Sequence, residues 1–352
     1  MPRQLTIQFA SERACLMHRT RMDPAGFFRR IPLLPHQMQA RTTATADMIV
    51  LCHLGVPRLD AAEWSIAIDG LVERPMHLSF SGLTAYPRHT VASFHQCAGS
   101  PLAPLEPTQR ICNVQWTGAR LAEVLRDACP AREAIYAWSR GADHGSFGGL
   151  EHDSYVKDLP IARVASDVLI AYELNGAPLP AEHGYPARLV VPGFYGTNSV
   201  KWLTRVTLAD RRADGAFTTR WYNDPSPDGR ATVPVWSVAP QSVIVAPAPG
   251  GAWRRSAAQE IRGWAWADDG VARVDISADG GESWSAAALE PREDRSWQRF
   301  AMSWRPIGPD HPLLARHLGW RRHTAGERSK ECDLWRRDHD RVTGRLELIV
   351  RA

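Results

Sequence analysis

No Cys-x-x-Cys pair occurs in the 352 residues; the six cysteines, Cys15, Cys52, Cys97, Cys112, Cys129 and Cys332, are scattered. That absence weighs against a structural zinc or an iron–sulfur centre. Without Cys-x-x-Cys-His, this chain offers no attachment point for a c-type haem. Dispersed cysteines in a long chain also argue against a disulfide framework. No apolar run reaches the ~18 residues that a membrane-spanning helix needs. Residues 1–45 carry neither an apolar signal core nor a twin-arginine leader, so the chain as written reads as cytoplasmic. A start assigned elsewhere would make it periplasmic. A charge excess is missing too: the net charge is +4, and the stretch from His311 onward, with ten Arg/Lys against six Asp/Glu, accounts for all of it. A balanced body argues against nucleic acid as a partner.

What is present is an ordinary globular composition, 44% hydrophobic and 23% charged. The length suggests two domains. Glycine and proline, 26 each, imply many turns and a strand-rich fold. Nine of the 14 tryptophans lie at or beyond Trp236.

Residues 1–45 read as an irregular, basic arm. Residues 46–215 read as a mixed α+β domain. Met48–Leu51, Trp64–Gly70, Val91–Phe94, Tyr136–Trp138, Val168–Tyr172, Arg188–Val191 and Val200–Leu208 are its expected strands. Thr117 is placed to cap a helix running to Cys129, with Leu121, Val124, Leu125 and Ala128 on one face. Asn175-Gly176 signals a hairpin turn. Residues 216–234 are polar and turn-rich, a connector. Residues 235–352 change texture to short alternating strands, with Val274 and Ile276 on one face and Phe300, Met302 and Trp304 on another, as in a β-sandwich of immunoglobulin type. The end departs from that texture, and alternation returns only at Arg345–Val350. It is either an atypical basic end or the product of a shifted reading frame.

The chemistry centres on Ser93-Phe94-His95-Gln96-Cys97-Ala98-Gly99-Ser100. A cysteine among apolar neighbours is usually a small buried hydrophobe. Cys97 differs in sitting on a small-residue turn that a large ligand can approach, and a thiolate suits a soft or high-valent metal. A second segment offers the donors His183, Arg188 and Lys201, with Gly184, Gly193 and Gly196 allowing close backbone approach. Together they could hold a phosphate and a polar heterocycle.

Gln96-Cys97-Ala98-Gly99, Ala171-Tyr172-Glu173-Leu174-Asn175-Gly176, His183-Gly184-Tyr185-Pro186-Ala187-Arg188, and Val191-Pro192-Gly193 through Val200-Lys201-Trp202-Leu203 resemble the sulfite oxidase family in content, order and spacing. The resemblance covers roughly residues 45–305. It implies a molybdopterin-binding domain followed by an immunoglobulin-like domain that often makes a homodimer, with one molybdenum–molybdopterin cofactor per chain. By the same resemblance Cys97 is the metal's thiolate ligand and Tyr172 the tyrosine beside the metal. His53, Asp143, His183, Arg188, Ser199, Val200 and Lys201 become cofactor contacts. The implied reaction is oxygen-atom transfer, with electrons leaving to a separate partner such as a cytochrome. The departures concern substrate. Where the family carries arginines around an oxyanion, this chain has Leu51 and Ser100-Pro101-Leu102, and Arg110 and Arg140 are the nearby candidates to stand in. Sulfite or a related small sulfur oxyanion is the first substrate class. The same cofactor run as a reductase of sulfoxides or other S-oxides is the second. A non-catalytic interaction module acting through the sandwich is the third reading. A cysteine hydrolase using His95 as base lacks a nucleophile-elbow pattern.

Overall fold

The computed structural model describes residues 28–30, 33–99, 110–226, 229–248, 257–279 and 281–305, with the backbone of strands Pro312–Gly319 and Arg345–Glu347. Most of the basic arm and end, and the Ser100-Pro101-Leu102 segment, lie outside the described residues.

The first domain is built on two sheets. One has the order Val156–Pro160, Tyr136–Gly141, Leu203–Ala209, Ser65–Gly70, Met76–Ser79, antiparallel except where Leu203–Ala209 runs parallel to Ser65–Gly70. The other has the order Ala177–Pro178, Leu169–Leu174, Ile111–Arg120, His89–Gln96, and Arg188–Val190 also pairs with Leu169–Leu174. The core between them includes Ile66, Ile68, Ile170, Leu189, Val206 and Leu208. Burying such a side chain contributes about 1.5–3 kcal/mol.

The expected helix of this domain is Leu121–Ala128, and it buries the expected face: Leu121, Val124, Leu125 and Ala128. It begins at Leu121 rather than Thr117, because Thr117 stays in a strand and bonds its hydroxyl to that of Thr90 at 2.8 Å. Cys129 ends the helix in the left-handed region at φ 53°. Asn175 and Gly176 form the expected hairpin turn, both at positive φ (51° and 80°).

The second domain is a sandwich of two four-stranded sheets. The first has the order Gln241–Ala246, Gln259–Trp266, Gln298–Trp304, Ala288–Leu289, and the second Ser285–Ala286, Val271–Ser277, Pro312–Gly319, Arg345–Glu347. Val274, Ile276 and Phe300 meet in its core, and Met302 and Trp304 pack against them. The backbone of 312–319 completes the second sheet by pairing with Val271–Ser277, although its sequence does not advertise a strand.

Two expectations about boundaries change. The connector 216–234 is not a bare link: helix Ala216–Thr219 puts Phe217, 1% exposed, into the first domain's core, with Trp221 and Tyr222 packed against it. The arm enters the fold at its end, where Met38 joins Phe94, Ile111, Val243, Trp264, Trp266 and Trp297 in a core shared by both domains. Trp264 stacks on Trp297 at 4.7 Å, and their indole N–H groups donate to the carbonyls of Met38 and Arg41. Part of the late tryptophan excess is thus the seam between the domains.

Candidate functional site

A cleft enclosing roughly 760 Å³, its open mouth included, lies in the first domain. Cys97 reaches it from the end of strand His89–Gln96. Its backbone N–H donates to the Arg110 carbonyl at 2.9 Å, the Gly99 N–H lies 3.4 Å from its sulfur, and the Arg110 guanidinium 3.9 Å. A Cβ at Gly99 would stand 3.1 Å from the Arg110 guanidinium, which would have to give by a few tenths of an ångström.

The cleft gathers Cys97, His53, Asp143, His183, Arg188, Ser199 and Lys201 from among the expected residues. They arrive from four separate stretches of chain, and the long antiparallel pairing of His89–Gln96 with Ile111–Arg120 sets where Cys97 emerges. Lys201 spends its ammonium on the carbonyls of Leu51 and Glu182, both at 2.9 Å, and on Cys52 Sγ at 3.1 Å. Burial holds its pKa below the usual lysine value. Arg188, 2% exposed, donates to the carbonyls of His183 at 3.0 Å and Ser199 at 2.9 Å. Burial brings its pKa down to about 9. Both cations therefore tie the cleft's loops together as well as lining it. Ser199 Oγ accepts from the Val191 N–H at 3.0 Å.

Two expected residues are elsewhere. Val200, 1% exposed, packs in the domain core behind the cleft wall. Tyr172 belongs to that core as well, edge-on to Phe80 at 6.2 Å, and does not line the cleft. The cause is strand alternation: Ala171 pairs with Arg188, so its neighbour Tyr172 points to the opposite face. The tyrosines that do line the cleft are Tyr155 and Tyr222. Tyr155 donates to the Thr197 carbonyl at 2.9 Å. Tyr222 lies with its hydroxyl 2.5 Å from His53 Nε2. Its backbone is at φ 58°, a conformation a tyrosine adopts only when its surroundings impose it. One signal in the sequence pointed to it: Trp221-Tyr222 is an aromatic pair inside a polar stretch.

The electrostatics are set by burial and by the two cations Lys201 and Arg188. Burial first, and then Lys201, lowers His53 to about 3; burial and Arg188 do the same to His95. Both rings are neutral near pH 7. Burial raises Tyr222. Asp143 is pushed up to about 6 by burial, against the pull of Lys201. Its Oδ1 is buried without a hydrogen-bond partner in the structure. A lone acceptor aimed into a cleft is a place for ligand N–H groups. With the Cys97 sulfur, the cleft volume and the donors around it, these residues fit a large heterocyclic cofactor that brings a metal. Among the described residues no three His, Cys, Asp or Glu side chains cluster as a metal site, so the cofactor would supply the metal's remaining ligands.

A thiol, an acceptor for heterocycle N–H groups and buried cations on one cleft, joined to a sandwich, define a molybdopterin-binding oxidoreductase fold. Comparison with known proteins agrees. Residues 53–217 match the family described as "Oxidoreductase molybdopterin binding domain", and residues 233–324 match "Mo-co oxidoreductase dimerisation domain". The chain is 34% identical to sulfite oxidase of Gallus gallus over 264 residues, covering 67% of this chain and 56% of that protein. It is 34% identical over 280 residues to mitochondrial sulfite oxidase of Mus musculus, covering 72% and 50%. It spans about half the length of these relatives. Among solved structures it resembles the sulfane dehydrogenase SoxCD of Paracoccus pantotrophus, with a TM-score of 0.72, 29% identity, and 90% and 80% of the two chains covered. The chain belongs to the sulfite oxidase family and carries that family's molybdenum-cofactor domain.

Proposed function

We propose that this protein oxidises sulfite or a related small sulfur oxyanion by oxygen-atom transfer and passes the electrons to a separate acceptor, such as a cytochrome. When bound, the molybdenum cofactor would supply the oxygen atom and the two-electron redox change. The chain's residues would do the rest. Cys97 would hold the metal through its sulfur. Asp143 and His183 would meet the polar edge of the heterocycle, and Lys201 and Arg188 would fix the loops around it. Tyr222 takes the role first expected of Tyr172. Its hydroxyl lies in the cleft against a neutral His53, which can accept a proton or donate one according to its tautomer. The pair can steady an oxygen at the reacting centre.

The observation that carries the substrate class is Arg110. It is 2% exposed and within 3.9 Å of the Cys97 sulfur. A guanidinium keeps its charge and binds oxyanions with paired N–H donors. It is not among the residues that line the cleft and meets the site through its place beside the Cys97 sulfur; in sequence, the family's own arginines are replaced here by Leu51 and Ser100-Pro101-Leu102. Arg140, the other candidate, is exposed on strand Tyr136–Gly141 and does not line the cleft. The second domain supports a homodimer by its family match. The test is a steady-state screen on molybdenum-loaded protein. Turnover with sulfite and an oxidised dye is expected. Turnover only with sulfoxides and a reduced dye would select the reductase instead. Normal folding without any molybdenum uptake would leave a non-catalytic module.

A further inference from the structure

Gln96 precedes Cys97 and is fully buried. Both polar atoms of its side chain bond to the second domain. Its Oε1 accepts from the Trp266 indole N–H at 2.6 Å, and its Nε2 donates to Gln241 Oε1 at 2.8 Å. The indole can only donate, which fixes the orientation of the amide and directs its NH₂ at Gln241. Gln241 in turn lies beside the hydroxyl of Tyr195. Tyr195 leads directly into Gly196 and Thr197, which line the cleft. The main chain of the same strand is gripped as well. Phe94 N–H donates to the Arg295 carbonyl at 3.1 Å, and Arg295 N–H to the Ala92 carbonyl at 3.0 Å. The Arg295 guanidinium then ties Asp167 of the first domain to Asp268 of the second, at 2.5 and 3.1 Å.

A seam meant only to adhere would be served as well by apolar side chains, since a buried amide is costly unless every group is matched. A matched, directional amide instead fixes register. Resting on the reading of Cys97 as the metal ligand, we propose that the Trp266–Gln96–Gln241 hydrogen-bond chain is how the second domain sets the position of the Cys97 sulfur. Trp266 and Gln241 are then positioning residues for a site neither of them lines.

Trp266→Phe removes the indole N–H and keeps an aromatic ring. In full-length, cofactor-loaded protein, molybdenum content should stay at the wild-type level while the thiolate-to-metal absorption band shifts. In the cofactor-free full chain, iodoacetamide should label Cys97 about fivefold faster than in wild type, the opening that loss of one ordinary hydrogen bond permits. Cys129, at the far end of helix Leu121–Ala128, is the internal control and should not change. If Trp266→Phe does not fold, Gln241→Leu breaks the other half of the chain and is read in the same way. Gln241→Glu, which keeps the acceptor, should restore the wild-type rate. Unchanged Cys97 labelling and an unchanged band, whatever happens to the melting temperature, would overturn the proposal and leave the contacts as simple domain adhesion. The ligand reading fails separately, through molybdenum retention in Cys97→Ser.

Discussion

Arg110→Met tests the substrate class most directly. Arg110 meets Cys97 in two ways, and only one depends on its side chain. Its carbonyl accepts the Cys97 N–H at 2.9 Å and survives any substitution. Its guanidinium, 3.9 Å from the sulfur, does not. Methionine fills a similar volume, and a melting curve on the same sample separates any loss of fold from loss of substrate binding. A hydrogen bond to a charged group contributes about 1.5–3 kcal/mol, and each 1.4 kcal/mol is a factor of ten, so KM for sulfite should rise by roughly 10- to 150-fold. If the guanidinium holds the oxyanion equally in ground and transition states, kcat changes little. Competitive inhibition by sulfate should weaken in parallel, because sulfate presents the same oxygens. Because Arg110 is only 2% exposed, added salt should not reproduce the effect. The assay is dye-coupled steady-state turnover with molybdenum content measured on the same sample. A KM within twofold of wild type, with sulfate inhibition unchanged, would refute the oxyanion role of Arg110.

Four further outcomes are expected. Cys97→Ser should lose bound molybdenum by elemental analysis while its unfolding free energy in urea changes by less than about 1 kcal/mol, because the side chain is partly exposed and serves no core. Tyr222→Phe should lower kcat by about tenfold or more, the weight of one positioned hydroxyl, whereas Tyr172→Phe should leave it unchanged. Arg212→Ala removes the guanidinium bonded to the fully buried Asp158 at 2.8 and 3.0 Å and leaves it the Ala213 N–H at 3.1 Å, and urea unfolding should show a loss of about 3 kcal/mol. In the cofactor-free protein, burial holds His53 and His95 near 3 in the folded state, below the ordinary histidine value of about 6.5. Their contribution is present above pH 6.5 and is lost as pH falls toward 3. Asp143, raised to about 6, acts in the opposite direction as pH falls through that value. Both histidines face a cleft open to water, which reduces the effect, so urea unfolding should show a net loss of about 1–2 kcal/mol between pH 6.5 and 5. His95→Gln should shrink that loss, and an equal loss in the variant would refute the assignment.

Much of the fold was written locally. The spacing of Leu121, Val124, Leu125 and Ala128 announced a helix face that is buried. Asn175-Gly176 announced a turn that needs positive φ. The alternation at Val274–Ile276 and Phe300–Trp304 announced a sandwich whose two sheets meet there. The motif around Cys97, with the later His183-to-Lys201 segment, was enough to name the family, and most of those residues do converge on one cleft. These are properties of neighbours along the chain, and side-chain periodicity reports them.

What the sequence could not decide depends on residues far apart. Tyr172 lay in a recognisable motif, but the pairing of Ala171 with Arg188 turns it into the core. Tyr222 lay in a stretch that reads as a connector, and only its left-handed backbone and the aromatic packing around Phe217 bring its hydroxyl to His53. Arg110 is thirteen residues from Cys97, yet the antiparallel pairing of their strands puts its guanidinium beside the sulfur. The tryptophans of the second half were visible as a count. That Trp266 reaches across a domain seam to the residue before Cys97 is a fact of tertiary packing, because a hydrogen bond spanning 170 positions leaves no periodic trace in sequence.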